Sequence, residues 1–241
     1  MKTLKRSLLL LTTLVCFASL HAQTVDDILS KHHEAMGGTE KLDQLKAVHM
    51  EMSMQIMGNE APASVTIVEG KGFKSESDAM GQKVVQVVTD KGGWIINPMT
   101  GATTAQPMSE EQYKQGADQI YATGPLYKYA EKGNKVELQG QEKVGDVNAY
   151  KLKVTGKSGS ETTYYIDPAT YYIIQVTKSG EMMGNPVTIT VTNSDFQKTP
   201  EGYVFPRTIQ TSIGDQFSFT SKITKVDINP TVDTTIFDMP K

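Results

Sequence analysis

From residue 47 onward, apolar and polar residues alternate in short runs that end at Gly, Pro, Asn or Asp. Residues 47–57 set the pattern. Val48, Met50, Met52, Met54 and Ile56 point one way, and His49, Glu51, Ser53 and Gln55 the other, which is the two-residue period of a half-buried strand. Runs at 63–69, 72–76, 83–89 and 93–97 follow, the last with Trp94 and Ile96 on one face. About five strands therefore precede Pro98. The pattern returns at 135–142 and 149–155. The longest stretch, 159–228, reads as a meander of strands at 162–166, 171–177, 186–192, 203–212 and 216–227. No segment between these is long enough to be a crossover helix, so the pattern predicts antiparallel neighbours.

Helical spacing occurs in two regions. Residues 24–36 place Val25, Ile28, Leu29, His32 and Met36 near one face, with Thr24 as N-cap and Gly37-Gly38 as the stop. A short turn at 39–45 follows. Residues 98–107 read as a loop. Ser109 then opens a helix over 109–122, with Gln112 completing a capping box and Tyr113, Ala117, Ile120 and Tyr121 on one face; residues 126–131 add a further turn. The class is mainly β (α+β). A single antiparallel sheet of about twelve strands must curl or split, so the expectation is a strongly curved, half-open β-barrel with helices covering its concave face. Residues 23–241 read as one domain.

The first 22 residues have a different texture. Lys2, Lys5 and Arg6 precede an apolar run from Leu8 to Leu20, and Ala22 ends it. That is the form of a cleaved secretory signal peptide, with an apolar run short for a membrane span. The one cysteine, Cys16, falls inside it, which leaves the mature chain without disulfides, a thiolate nucleophile or a cysteine metal site. Three of the 24 basic residues go with the leader, so 21 face 27 acids in the mature chain. The two signs are interspersed, which argues against a nucleic-acid partner.

Catalytic constellations are missing from the pattern. His32-His33-Glu34 lacks the His-Glu-x-x-His spacing of a zinc site, because Gly37 stands four residues beyond His33. Neighbouring helix positions also diverge by about 100°, so these histidines read as surface or half-buried. No Gly-x-Ser-x-Gly elbow or Gly-rich phosphate loop is present. The acid pairs Glu110-Glu111 and Asp26-Asp27 sit in first turns of helices, where the helix dipole accounts for them. The expectation is no enzyme, no metal and no cofactor.

Methionine stands out: the chain has 12, and Met50, Met52 and Met54 share one strand face. Such flexible, polarisable side chains suit surfaces that accept varied apolar ligands, and they are also ordinary core fillers. A curled sheet too wide for its own side chains leaves a cavity for an apolar ligand. The candidate lining is Met50, Met52, Met54, Trp94, Ile96, Tyr113 and Ile120.

Several motifs together resemble the outer-membrane lipoprotein-sorting superfamily, the LolA/LolB-like carriers. They are the leader, the opening Val25-Asp26-Asp27-Ile28-Leu29 helix with Met36-Gly37-Gly38, Tyr164-Tyr165-Ile166-Asp167-Pro168 with Tyr172-Ile173-Ile174, Gly202-Tyr203-Val204-Phe205-Pro206, and the ending Asn229-Pro230 with Ile236-Phe237-Asp238-Met239-Pro240. The resemblance implies a periplasmic half-barrel whose helices lid an apolar cavity for acyl chains. Some carriers hold an arginine on an early strand that latches the lid; the one arginine beyond the leader here is Arg207, on a late strand. The implied function is carriage or binding of lipid or lipoprotein acyl chains, chaperone-like, by a monomer. The alternative is a sensor or scaffold that binds an envelope protein partner through the same groove. N-terminal sequencing of the exported protein is expected to start near Gln23; a lipid-modified Cys16 as first residue would overturn the cleavage site.

Overall fold

The computed structural model describes residues 23–56, 58–79, 81–182, 185–215 and 217–240; the leader and Cys16 lie outside these residues. Helices α1 (Val25–Ala35) and α2 (Thr39–Gln44) come first. Strands β1 (Ala47–Ile56), β2 (Asn59–Val68), β3 (Gly72–Ala79), β4 (Gln82–Thr89), β5 (Gly93–Asn97) and β6 (Ala102–Pro107) follow. After α3 (Glu110–Gly116) and a 3-10 turn at Ala117–Ile120, the chain resumes with β7 (Lys135–Val144), β8 (Val147–Thr155) and β9 (Glu161–Ile166). It ends with β10 (Ile173–Met182), β11 (Asn185–Lys198), β12 (Val204–Ile213), β13 (Phe217–Ile228) and a last 3-10 turn, Thr234–Phe237.

All thirteen strands form one antiparallel sheet in the order β6-β5-β4-β3-β2-β1-β13-β12-β11-β10-β9-β8-β7. The sheet is curved and does not close. Two expectations change. Residues 98–107 are not a loop: Asn97 caps a 3-10 turn and β6 then pairs with β5. Its Ala-Thr-Thr-Ala-Gln-Pro sequence carries almost no apolar alternation, because an edge strand paired on one side buries little. The helix expected over 109–122 stops being α-helical at Gly116 and tightens into the 3-10 turn.

Directly paired residues share a face, so the register sorts the sheet into two sides. One row runs Val226–Met50–Val65–Ser75–Gln86–Ile95, and the adjacent row runs Asp227–His49–Thr66–Lys74–Val87–Trp94 on the opposite side. On the other flank, Leu138–Leu152–Tyr164–Val176–Val191–Thr211–Phe219 continues the first side across seven strands. We call these the apolar and polar faces.

The helices use the apolar face. Thr24 caps α1 in a reciprocal box with Asp27, and Ile28 and Leu29 pack with Leu126, Leu152, Val154 and Ile166. His32 is buried rather than at the surface, and its Nδ1–H donates to the Tyr171 carbonyl at 2.8 Å. Residues 108–134, the insert, reach two distant places. At Gly116 a Cβ would lie 3.3 Å from Val88 of β4. Ser158 Oγ, in the β8–β9 turn, donates to the Lys114 carbonyl at 3.0 Å. In that turn, a Cβ at Gly156 would meet the Asp118 carboxylate at 2.3 Å, so a larger residue there would push that carboxylate aside. Strand β4 is third and β8 twelfth in the sheet, about 43 Å apart if flat at ~4.8 Å per strand. The helix and 3-10 turn together measure under about 20 Å. One unit can touch both flanks because the sheet curls.

The polar face has its own small core. Val85, Val87 and Trp94 pack against Phe237 of the C-terminal turn, and the Trp94 indole N–H donates to the Phe237 carbonyl at 2.9 Å. Gly72 admits the Phe237 ring, which would sit 2.8 Å from a Cβ there.

Two predictions follow from this packing. Phe237→Ala removes a buried ring and should cost about 3 kcal/mol in urea unfolding. Trp94, the one tryptophan, should report the exposure as a red shift of native-state emission. The second concerns pH. Burial pulls His32 down from 6.5 to about 4. Above 6.5 the imidazole is neutral folded or unfolded, and between 6.5 and 4 the unfolded chain takes the proton first. Stability should therefore fall by about 3 kcal/mol as pH drops through that window. His32→Asn, which keeps a donor for the Tyr171 carbonyl, should flatten the fall in denaturation midpoints measured from pH 7 to 4.

Candidate functional site

The apolar face is not uniformly filled. Across β1–β3, Met52 pairs with Ala63, which pairs with Ser77, and Met54 pairs with Ala61. These partners are small, so the sheet floor beside the methionines is low. On the other side Met52 neighbours Ile223 and Met54 neighbours Ser221, followed by Ile209 on β12. Met50, Met52, Met54, Ile209, Phe217 and Phe219 are all half-buried.

Charge follows the same division. The carboxylates of Glu51, Glu60, Glu76, Asp78, Glu137, Glu142, Glu161 and Asp227 belong to the polar face by register. Lysines meet several of them there: Lys83–Glu76 at 2.7 Å, Lys151–Glu142 at 2.6 Å and Lys153–Glu161 at 2.6 Å. The apolar face carries Lys178, in the row Lys178–Ile189–Ile213–Phe217. Burial lowers its pKa from the ordinary lysine value. Tyr164 on the same face is pushed up by burial, with the Asp118 charge adding to it.

Five of the seven residues expected from sequence gather on this side, and two do not. Met50, Met52 and Met54 share the apolar face. Tyr113 and Ile120 belong to the insert packed on it; the Tyr113 hydroxyl donates to the Thr89 carbonyl at 3.2 Å, and the Ile120 carbonyl accepts from the Gly70 amide at 2.9 Å. Trp94 and Ile96 sit on the polar face under Phe237 and Ile236. Strand β4 is apolar on both faces, with Val84 and Val88 on one and Val85 and Val87 on the other, so parity alone did not say which side the C-terminus would cover.

Sequence reasoning missed a partly open apolar pocket of about 170 Å³ between α1, α2, residues 122–126 and the starts of β10 and β12. Leu42, Leu45, Leu126, Ile173, Tyr203 and Phe205 line it, together with His32 and His33. Met50 adjoins it through Leu45, Val48 and Ala122. The Nε2 of His33 is buried without a hydrogen-bond partner, and its ring meets Tyr127 edge-on at 5.0 Å. The insert beside this cavity is tied down by Lys132. Its ammonium donates to Thr123 Oγ1 and the Gly124 carbonyl, each at 2.7 Å, and lies 4.5 Å over the Tyr121 ring. Glu69, at the β2–β3 turn, accepts from the amide and hydroxyl of Thr123. Burial lowers Lys132, opposed first by Glu69 and then by Asp118, and raises Asp118, opposed by the Lys132 charge.

Across β1–β4 runs a broad groove of about 760 Å³ lined by Glu51, Ser53, Glu60, Pro62, Glu76 and Lys83, with Met52, Ala61, Ala63 and Ser77 also in its lining. Among the described residues, His49, Glu51 and Asp227 place possible metal-ligand atoms within 4.8 Å of one another. Lys225 already stands at that cluster, 2.8 Å from Asp227 and 3.6 Å from Glu51.

No protein-family profile and no curated protein matches the chain. Solved structures do. An outer membrane lipoprotein-sorting protein domain from Vibrio parahaemolyticus superposes with a TM-score of 0.55 at 14% identity, covering 89% of this chain and 97% of that one. A LolA superfamily protein from Nitrosomonas europaea gives 0.57 at 12% identity, and a DUF1329 family protein from Desulfovibrio piger 0.55 at 15%, both with the same coverage. With its open antiparallel sheet, first and last strands paired, the chain has a LolA-like fold.

Proposed function

We propose that the protein is a periplasmic carrier or binding protein for lipid or lipoprotein acyl chains, held against the apolar face on the inside of the curl, beneath the helices. One observation carries this reading: the apolar face is lined by half-buried Met, Ile and Phe side chains above a floor of Ala and Ser, while the strand carboxylates named above point the other way. An aliphatic chain laid there gains about 0.8 kcal/mol per CH₂ removed from water, and methionines adapt to its shape. The similarity to a lipoprotein-sorting domain supports the fold on which the reading rests. No catalysis is assigned to the site.

Met54→Glu tests it. The charge falls among Ala61 and Ser221 where the acyl chain would lie, so affinity for the fluorescent fatty acid cis-parinaric acid should drop more than about tenfold, with the thermal melt retained. Undiminished binding would place the chain elsewhere. A wild type that binds no apolar probe would end the carrier reading and favour a protein partner at the same groove.

A further inference from the structure

Arg207 has no structural use that the fold reveals. It is the one arginine after Arg6. Strand β12 alternates regularly, so Arg207 shares its side with Phe205 and Ile209 rather than with Thr208, which pairs with Lys222. It therefore stands on the apolar face. Its Nε is buried and has no hydrogen-bond partner, and among the described residues no carboxylate forms an ion pair with it. On β13 the acid Asp227 is on the far side of the sheet. On β11 the register sets Asp195 across from Arg207, but its exposed carboxylate accepts from Gln197 Nε2 and makes no ion pair with the guanidinium.

Such a group is costly. Arg207 is half-buried, and a buried N–H that has lost water and found no acceptor carries the cost of an unmade hydrogen bond. Lys178, a second half-buried cation on this face, is of a type that can relieve the cost by giving up a proton. A guanidinium cannot, because it stays charged at all physiological pH values. Its planar fork matches a carboxylate or phosphate with two parallel hydrogen bonds. The surroundings define what would bring that anion. Phe205, two residues before Arg207, lines the partly open apolar pocket. Ile209, two residues after it, pairs with Ser221, which pairs with Met54. An anion at Arg207 thus has apolar surface on both sides along the strand.

We propose that Arg207 receives the oxyanion head, carboxylate or phosphate, of an amphiphile whose tail lies on the apolar face. This rests on the acyl-chain reading above and adds the charge of the ligand's head. A neutral lipid of the same chain length satisfies the methionine face and leaves the guanidinium unpaired, so the protein selects anionic over neutral amphiphiles.

The experiment compares cis-parinaric acid with its methyl ester on the full mature chain, as wild type, R207Q and R207M. The wild type should bind the acid at least about tenfold more tightly than the ester. Both variants should bring the acid down to the level of the ester and leave ester binding unchanged. R207M keeps apolar volume and reads the same way should R207Q fail to fold. Palmitate and hexadecyl phosphate, used as competitors, tell which head is preferred, and displacement by either supports the oxyanion site. Equal displacement by inorganic phosphate alone would overturn the amphiphile. An acid-to-ester ratio that is the same in wild type and variants would remove Arg207 from the site while acyl binding stands. Binding of neither probe would instead end the acyl-chain reading itself.

Discussion

The architecture depends on the pairing of β1 with β13. Because the first and last strands lie side by side in the middle of the sheet, its two free edges belong to β6 and β7, which are consecutive in the chain. The connection between them, residues 108–134, must travel from one free edge to the other. Apolar burial selects the route across the apolar face: Ile120 and Leu126 are buried, and Gly116 and Gly156 let the insert approach both flanks closely. The anchoring of residues 123–132 to Glu69 and Lys132 is the polar counterpart of the same path.

The two faces solve the same problem differently. On the polar face, the apolar patch of Val85, Val87 and Trp94 is closed by the chain's own end, with a hydrogen bond to fix it. On the apolar face, Val48 and Met50 are met by Tyr203 and Ala122, and further along β1 the side chains beside Met52 and Met54 on β2 and β3 are reduced to Ala and Ser. A sheet that filled its own interior would carry large residues at those places.

Much of this was legible in the sequence. The N-cap at Thr24, the capping box at Ser109, the methionine parity of β1 and the strand character from 159 to 228 all rest on local chemistry, and local chemistry is what a sequence displays. What was not legible depends on partners far along the chain. Strand β6 exists because β5 offers it hydrogen bonds, not because of its own pattern. Trp94 faces Phe237, 143 residues away, and nothing near residue 94 says so. His32 is buried because Tyr171 offers a carbonyl. The solitary arginine was visible as composition, but its unpaired state required the register of β12.

The central strand pair also fixes when the sheet can be completed. Val48 pairs with Ile228, and His49 with Asp227, so the seam in the middle of the sheet joins residues about three quarters of the chain's length apart. The hairpins β1 to β6 and β7 to β13 can each assemble from neighbours, but they become one sheet only after the last strand exists. Non-local closure of this kind slows folding relative to locally connected topologies. Until β1 meets β13, each half-sheet presents an unpaired strand edge, the arrangement that invites pairing with another chain.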